Sequence, residues 1–100
     1  MPGIDVVDEK NIPADVERAS RINWGVLIDA YLTNAARVGS RYAGTLFLDF
    51  AGSISNGETV VTPPVRKLTS RGDFCLVQSA CGKDHYVIVS ENRPTHLRSV

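Results

Sequence analysis

The chain has 100 residues, 43% of them hydrophobic and 22% charged, with eleven bases balancing eleven acids. That length makes one domain, residues 1–100, able to bury about two-thirds of the surface its unfolded form exposes, so folding requires neither a disulfide framework nor a structural metal. A zero net charge with a pI near 6.7 argues against a dedicated non-specific nucleic-acid binder, whose domains usually exceed a pI of about 9.

Residues 1–12 read as an acidic arm. Five acids (Asp5, Asp8, Glu9, Asp15, Glu17) stand against Lys10 in the first 17 residues, while the rest of the chain holds ten bases and six acids. The charge is thus unevenly spread, and a solvated tail is the ordinary meaning of such an asymmetry. Met1-Pro2-Gly3 is followed by acids and not by a basic and then an apolar run, which predicts no secretory signal and hence a cytoplasmic protein. Ile4-Asp5-Val6-Val7 is the one piece of the arm with strand character.

Residues 13–39 read as a helical region. Pro13 suits a first helical turn, and Asp15 and Glu17 suit the positive end of a helix dipole, which predicts a helix over 14–20. From Arg21 to Val38, Trp24, Leu27, Ile28, Tyr31, Leu32, Ala35 and Val38 recur at three- and four-residue steps, the stripe of an amphipathic helix. Gly39-Ser40 then reads as its stop, with Arg37 in the last turn. Gly25 costs about 1 kcal/mol relative to alanine inside such a helix, which favours a start near Asn23 or a close backbone approach. Trp24 to Leu32 is broken by Gly25 and Asp29 and is far short of the ~20 residues that cross a bilayer.

Residues 44–90 alternate apolar runs with turn signals at strand-like spacing. Thr45 to Ala51 is apolar on both faces and reads as a central strand. Asn56-Gly57 before Thr59-Val60-Val61-Thr62 reads as a hairpin turn. Pro63-Pro64 donates no hydrogen bond, so the chain must bend or change sheet there. Val65 to Thr69 reads as an edge strand guarded by Arg66 and Lys67, with a turn at Ser70 to Asp73. Phe74 to Ser79 and His85 to Ser90 complete the set, and residues 91–100 read as a tail. The expected fold is α+β: an N-terminal helix packed on a four- to five-stranded antiparallel sheet or a small open SH3-like barrel.

No stretch carries a catalytic signature. Cys75 and Cys81 are expected to be free thiols, and Cys81, with Lys83 and His85 nearby, lacks the oriented base and oxyanion site a nucleophilic enzyme needs. Cys81, Asp84, His85 and His96 match no paired zinc spacing, so no metal and no cofactor is expected. Asp49, inside an apolar run, needs a partner, for which Arg37, Arg41 and Arg66 are the candidates. Arg66, Lys67, Arg71, Lys83 and Tyr86 are the residues a nucleic acid would use, as a cationic groove with an aromatic for stacking. Trp24, Tyr31, Phe47, Val87 and Val89 exceed what one helix covers and are the candidate interface of a homo-oligomer, most simply a dimer.

Asn56-Gly57-Glu58-Thr59-Val60-Val61-Thr62-Pro63-Pro64-Val65, with Ser79-Ala80-Cys81-Gly82 and Tyr86-Val87-Ile88, resembles small uncharacterised β-rich proteins of phage, plasmid and gene-cassette origin. The resemblance covers under half of the chain and implies a binding or inhibitory module with no catalytic residue. The functional expectation is a non-enzymatic macromolecule-binding or regulatory module acting through a protein interface. A weak nucleic-acid-binding small barrel is the alternative, and a small-ligand binder or enzyme with a pocket the sequence does not reveal is the third.

Overall fold

A computed structural model describes residues 12–92; residues 1–11 of the acidic arm, where a strand is expected at 4–7, and most of the tail lie outside them. Helix α1 spans Ala14–Ser20. Six strands follow: β1 Ala30–Val38, β2 Arg41–Phe47, β3 Thr59–Val61, β4 Val65–Arg71, β5 Phe74–Ser79 and β6 His85–Ile88. They form one sheet in the order β3-β2-β1-β6-β5-β4. The architecture is α+β, with one short helix and a six-stranded, open sheet. It is mixed and not purely antiparallel, because β1 and β6 run parallel in the centre while every other pair is antiparallel. Among the described residues, no helix is long and apolar enough to cross a membrane.

The expected helix over 21–38 is not formed. Its first half is a loop and its second half is β1. The three-residue steps have another origin. Asn34 adopts a left-handed φ of 51°, and the β1–β2 register shifts by one residue between Thr33 and Ala36, the mark of a β-bulge. Along β1, Ala30 and Leu32 face one core cluster and, after the inserted residue, so does Ala35. A bulge thus turns a strand's period of two into a step of three, which mimics a helical stripe. Gly39-Ser40 is accordingly a two-residue hairpin turn between Val38 and Arg41, and the φ of +63° at Gly39 is what a first turn position of this kind requires.

Two clusters fill the two faces of the sheet. On the first, Tyr31, Phe47, Leu76, Val87 and Val89 lie beneath Val16 and Ala19 of α1 and beneath Trp24. The indole Nε1 of Trp24 donates to the carbonyl of Ala19 at 3.0 Å, which pins the loop after α1. The candidate interface residues are therefore core: all five are buried, Tyr31, Phe47, Val87 and Val89 on the sheet and Trp24 in the loop that covers them with α1. On the second face, Ala30, Leu32, Ala35, Tyr42, Leu46, Val77 and Ile88 meet Ile54, Val60 and Val65. No helix covers this face, so the sheet curls on itself to bury it.

Pro63-Pro64 makes that curl possible. The strands β3 and β4 are the two outer edges of the sheet, yet only residues 62–64 connect them. The amide of Val65 donates to Ser40 at 2.7 Å, and that of Ala80 to Pro64 at 2.8 Å, so the proline corner bridges the β1–β2 turn and the end of β5. Buried Thr62 closes it, accepting the amide of Tyr42 on its hydroxyl. As expected, β4 is an edge strand carrying Arg66 and Lys67.

The long strand expected at 45–51 ends at Phe47. Leu48, at φ 59°, turns the chain into an eleven-residue excursion before β3, so Asn56-Gly57 is part of a longer loop and not a two-residue turn. Asp49 is satisfied there by backbone and not by an arginine: its Oδ2 accepts the amides of Ser53 at 2.8 Å and Ile54 at 2.9 Å.

Burial pushes the phenols of Tyr31, Tyr42 and Tyr86 above their ordinary value of 10.0, Tyr86 to about 12. The folded chain thus keeps these protons to higher pH than the unfolded chain. The stability this contributes is whole below pH 10 and is lost as pH rises toward 12. Urea midpoints are expected to fall over that window, and Tyr86→Phe is expected to reduce the fall.

Candidate functional site: a polar cleft at the open seam

Where β6 stops at Ile88, the chain beyond it stays with β1. The amide of Val89 donates to Leu32, that of Ala35 to Ser90, and that of Asn92 to Ala35. Meanwhile β5 begins at Phe74, just after the Gly72-Asp73 turn that joins it to β4. The seam between β5 and the run after β6 therefore opens into a cleft of about 590 Å³, inside the range of small-molecule and peptide-anchor pockets.

Five segments supply its charges: Asp15 and Arg18 from α1, Arg37 from β1, Lys67 from β4, Asp73 from the β4–β5 turn and Glu91 from the run after β6. Arg37 lies over the ring of Tyr42, 5.7 Å from its centroid, and its Nε donates to Gly39 at 3.1 Å. The Tyr42 hydroxyl donates to Glu91 Oε2 at 3.4 Å; burial first, then the Glu91 carboxylate, push this phenol up. The Glu17–Arg21 ion pair lies outside the cleft, and among the described residues Asp15, Arg18, Lys67 and Asp73 face the cleft without one.

The cleft's thiol is Cys75. Burial pushes it up, and the opposing influence of Lys67, a hydrogen bond from Ser70 and Arg37 does not overcome this. It is therefore a protonated, half-buried thiol and a poor nucleophile. Cys81 differs. Exposed in the β5–β6 turn, its Sγ lies 3.3 Å from the Ser79 hydroxyl, and that hydrogen bond, followed by one from the Lys83 amide, pulls the thiol down. Iodoacetamide at about pH 8 is expected to label Cys81 at least about tenfold faster than Cys75, read by peptide mass spectrometry; equal rates would contradict this arrangement.

Among the described residues the one histidine, His85, is engaged by Gln78. His85 Nε2 lies 3.2 Å from Gln78 Nε2, and the same Gln78 accepts Arg66 through Nε and Nη2. The amide of His85 donates to Asp29 Oδ2 at 2.8 Å, which clamps the start of β6 to the start of β1. Among the described residues no three His, Cys, Asp or Glu side chains are grouped to hold a metal ion.

The structure separates the five residues expected to bind nucleic acid. Arg66 pairs with Gln78 and Lys67 with Val77 across β4–β5, so the two adjacent cations point to opposite faces. Arg71 lies over Trp24 on the helix-covered face, 5.8 Å from the ring centroid. Tyr86 packs in the other core cluster, and Lys83 sits in the β5–β6 turn. These side chains make no common groove. Only Lys67 lines the cleft.

The other residues that converge there are not legible in the sequence as a set, because a parallel β1–β6 pairing assembles them from four distant segments. One signal was present. Arg37 and Tyr42 flank Gly39-Ser40, and reading that pair as a hairpin turn sets them directly opposite each other, as the register has them. No protein-family model, no curated protein and no solved structure matches the chain.

Proposed function

We propose that this chain is a non-enzymatic binding module that takes an extended segment of a partner protein into the cleft at the open seam. The observation that carries the reading is the set Asp15, Arg18, Lys67 and Asp73, charges of both signs that line one concavity and form no ion pair among the described residues. A partner carrying alternating charges supplies the missing counter-charges, while Phe74, Ile88 and Val89 offer it apolar anchoring. Such charge complementarity contributes register and specificity more than raw affinity. The protonated state of Cys75 favours binding over covalent chemistry. Two free cysteines are in keeping with a cytoplasmic, reducing setting.

The test is selection of linear peptides from a random display library on the purified chain, followed by fluorescence anisotropy. Selected peptides are expected to bind, to perturb the amide resonances of Lys67, Ser70 and Asp73, and to lose at least about tenfold in affinity, or about 1.4 kcal/mol, with Lys67→Glu. Failure to enrich any peptide, or perturbations confined to another surface, would overturn the reading. The volume of the cleft also suits a small ligand, and a fragment screen that shifts the same resonances while peptides do not would favour that second reading.

A further inference from the structure

The two edges of the sheet are unlike. Strand β4 carries Arg66, Lys67 and Arg71 and a register shift at Leu68, and charge plus a bulge is how an edge is protected from pairing. Strand β3, Thr59-Val60-Val61, carries no charge, proline or bulge. Its register with β2 fixes which of its backbone groups are spoken for. The amide of Thr62 donates to Tyr42, and the carbonyl of Glu58 accepts from Leu46, so residues 58, 60 and 62 turn their backbone toward β2. Those of Thr59 and Val61 turn outward, because the direction alternates along a strand.

We infer that β3 is the seam of a symmetric dimer, in which β3 pairs antiparallel with β3 of a second copy about a two-fold axis through Val60. This register places Thr59 opposite the second copy's Val61 and Val61 opposite its Thr59. Both are the outward-turned residues, and each such pair exchanges two hydrogen bonds. No other antiparallel register centred on β3 uses both.

The outer face fits the same register. Val61, at 61% exposure, and Val38, at 59%, share that face with Ala36 and Ala43, while Arg41 stands opposite Val38 at its end, and pairing makes the apolar strip continuous through Val61 of both copies. Such a self-complementary patch is what a two-fold interface requires. It is distinct from the cleft, to which β3 contributes no residue.

Sedimentation velocity of the full chain tests it. The wild type is expected to dimerise by about 100 μM, and Val61→Lys, at an exposed position, to raise the dissociation constant at least about tenfold with an unchanged circular dichroism spectrum. The same change on the other edge strand, Leu68→Lys, at an exposed position, is expected to leave the dimer intact, an outcome that general destabilisation does not mimic. A wild type that remains monomeric at about 500 μM overturns the inference, as does a dimer that Val61→Lys weakens no more than Leu68→Lys does. Peptide binding by the cleft is expected to survive Val61→Lys, so failure of either proposal leaves the other standing.

Discussion

Replacing Leu32 with alanine is expected to cost about 2–5 kcal/mol, the largest loss of any conservative truncation in the chain. Leu32 is fully buried in the first half of β1, itself an inner strand of the sheet. It is flanked by Leu46 of β2 on one side and Ile88 of β6 on the other, and Tyr42 and Val77 belong to the same cluster. Truncation leaves a cavity whose walls belong to strands paired on both sides, which resist collapsing into it. Against a total stability of about 5–15 kcal/mol for a domain of this kind, such a loss removes a large share of it. Leu27→Ala is the control. Its side chain is 52% exposed, and its cost is expected within about 0.5 kcal/mol. Urea unfolding of the two variants checks the contrast, and similar midpoints would refute the assignment of Leu32 to the core.

Gly44→Ala is expected to destabilise by about 1–3 kcal/mol, although it adds only one methyl group. A Cβ at position 44 would stand 3.0 Å from the Thr33 carbonyl oxygen and 3.1 Å from the Cα of Ala35. Both are backbone atoms of the bulge and cannot swing aside, so β1 must move off β2 where β1 also holds the run after β6. Ala35→Gly relieves only the 3.3 Å approach to the Ala35 Cβ and is expected not to rescue Gly44→Ala. Full rescue would show that the strain lies between side chains and not between backbones.

The same bulge accounts for what was legible in the residues and what was not. Phe74–Ser79, His85–Ile88 and edge strand β4 were legible because each is bounded by turn chemistry and keeps one pairing partner near in sequence. Helix α1 was legible from Pro13, Asp15 and Glu17, all at its first turn. Strand β1 was hidden. It is buried on both faces, so it shows no alternation, and Asn34 inserts a residue that gives Leu32 and Ala35 helical spacing. With β1 misread, the hairpin at Gly39-Ser40 and the meeting of Arg37 with Tyr42 were out of reach, and with them the cleft. Trp24, Tyr31 and Phe47 invited an interface because their cover, α1 with the loop behind it, holds only a few residues. Yet Val16 and Ala19 are fully buried, and one short helix suffices.

The parallel pairing of β1 with β6 has a consequence in time. Ala30 meets Tyr86 and Leu32 meets Ile88, contacts that span more than half the chain, whereas the hairpins β1–β2 and β4–β5 close across two-residue turns. Local loops close in well under a microsecond, while long-range pairing must first pay for ordering everything between. Each half of the sheet can therefore form as its own meander, and the centre of the molecule is the last part to be made. On a ribosome, this chain has no finished core until residue 88 has been synthesised and has cleared the exit tunnel.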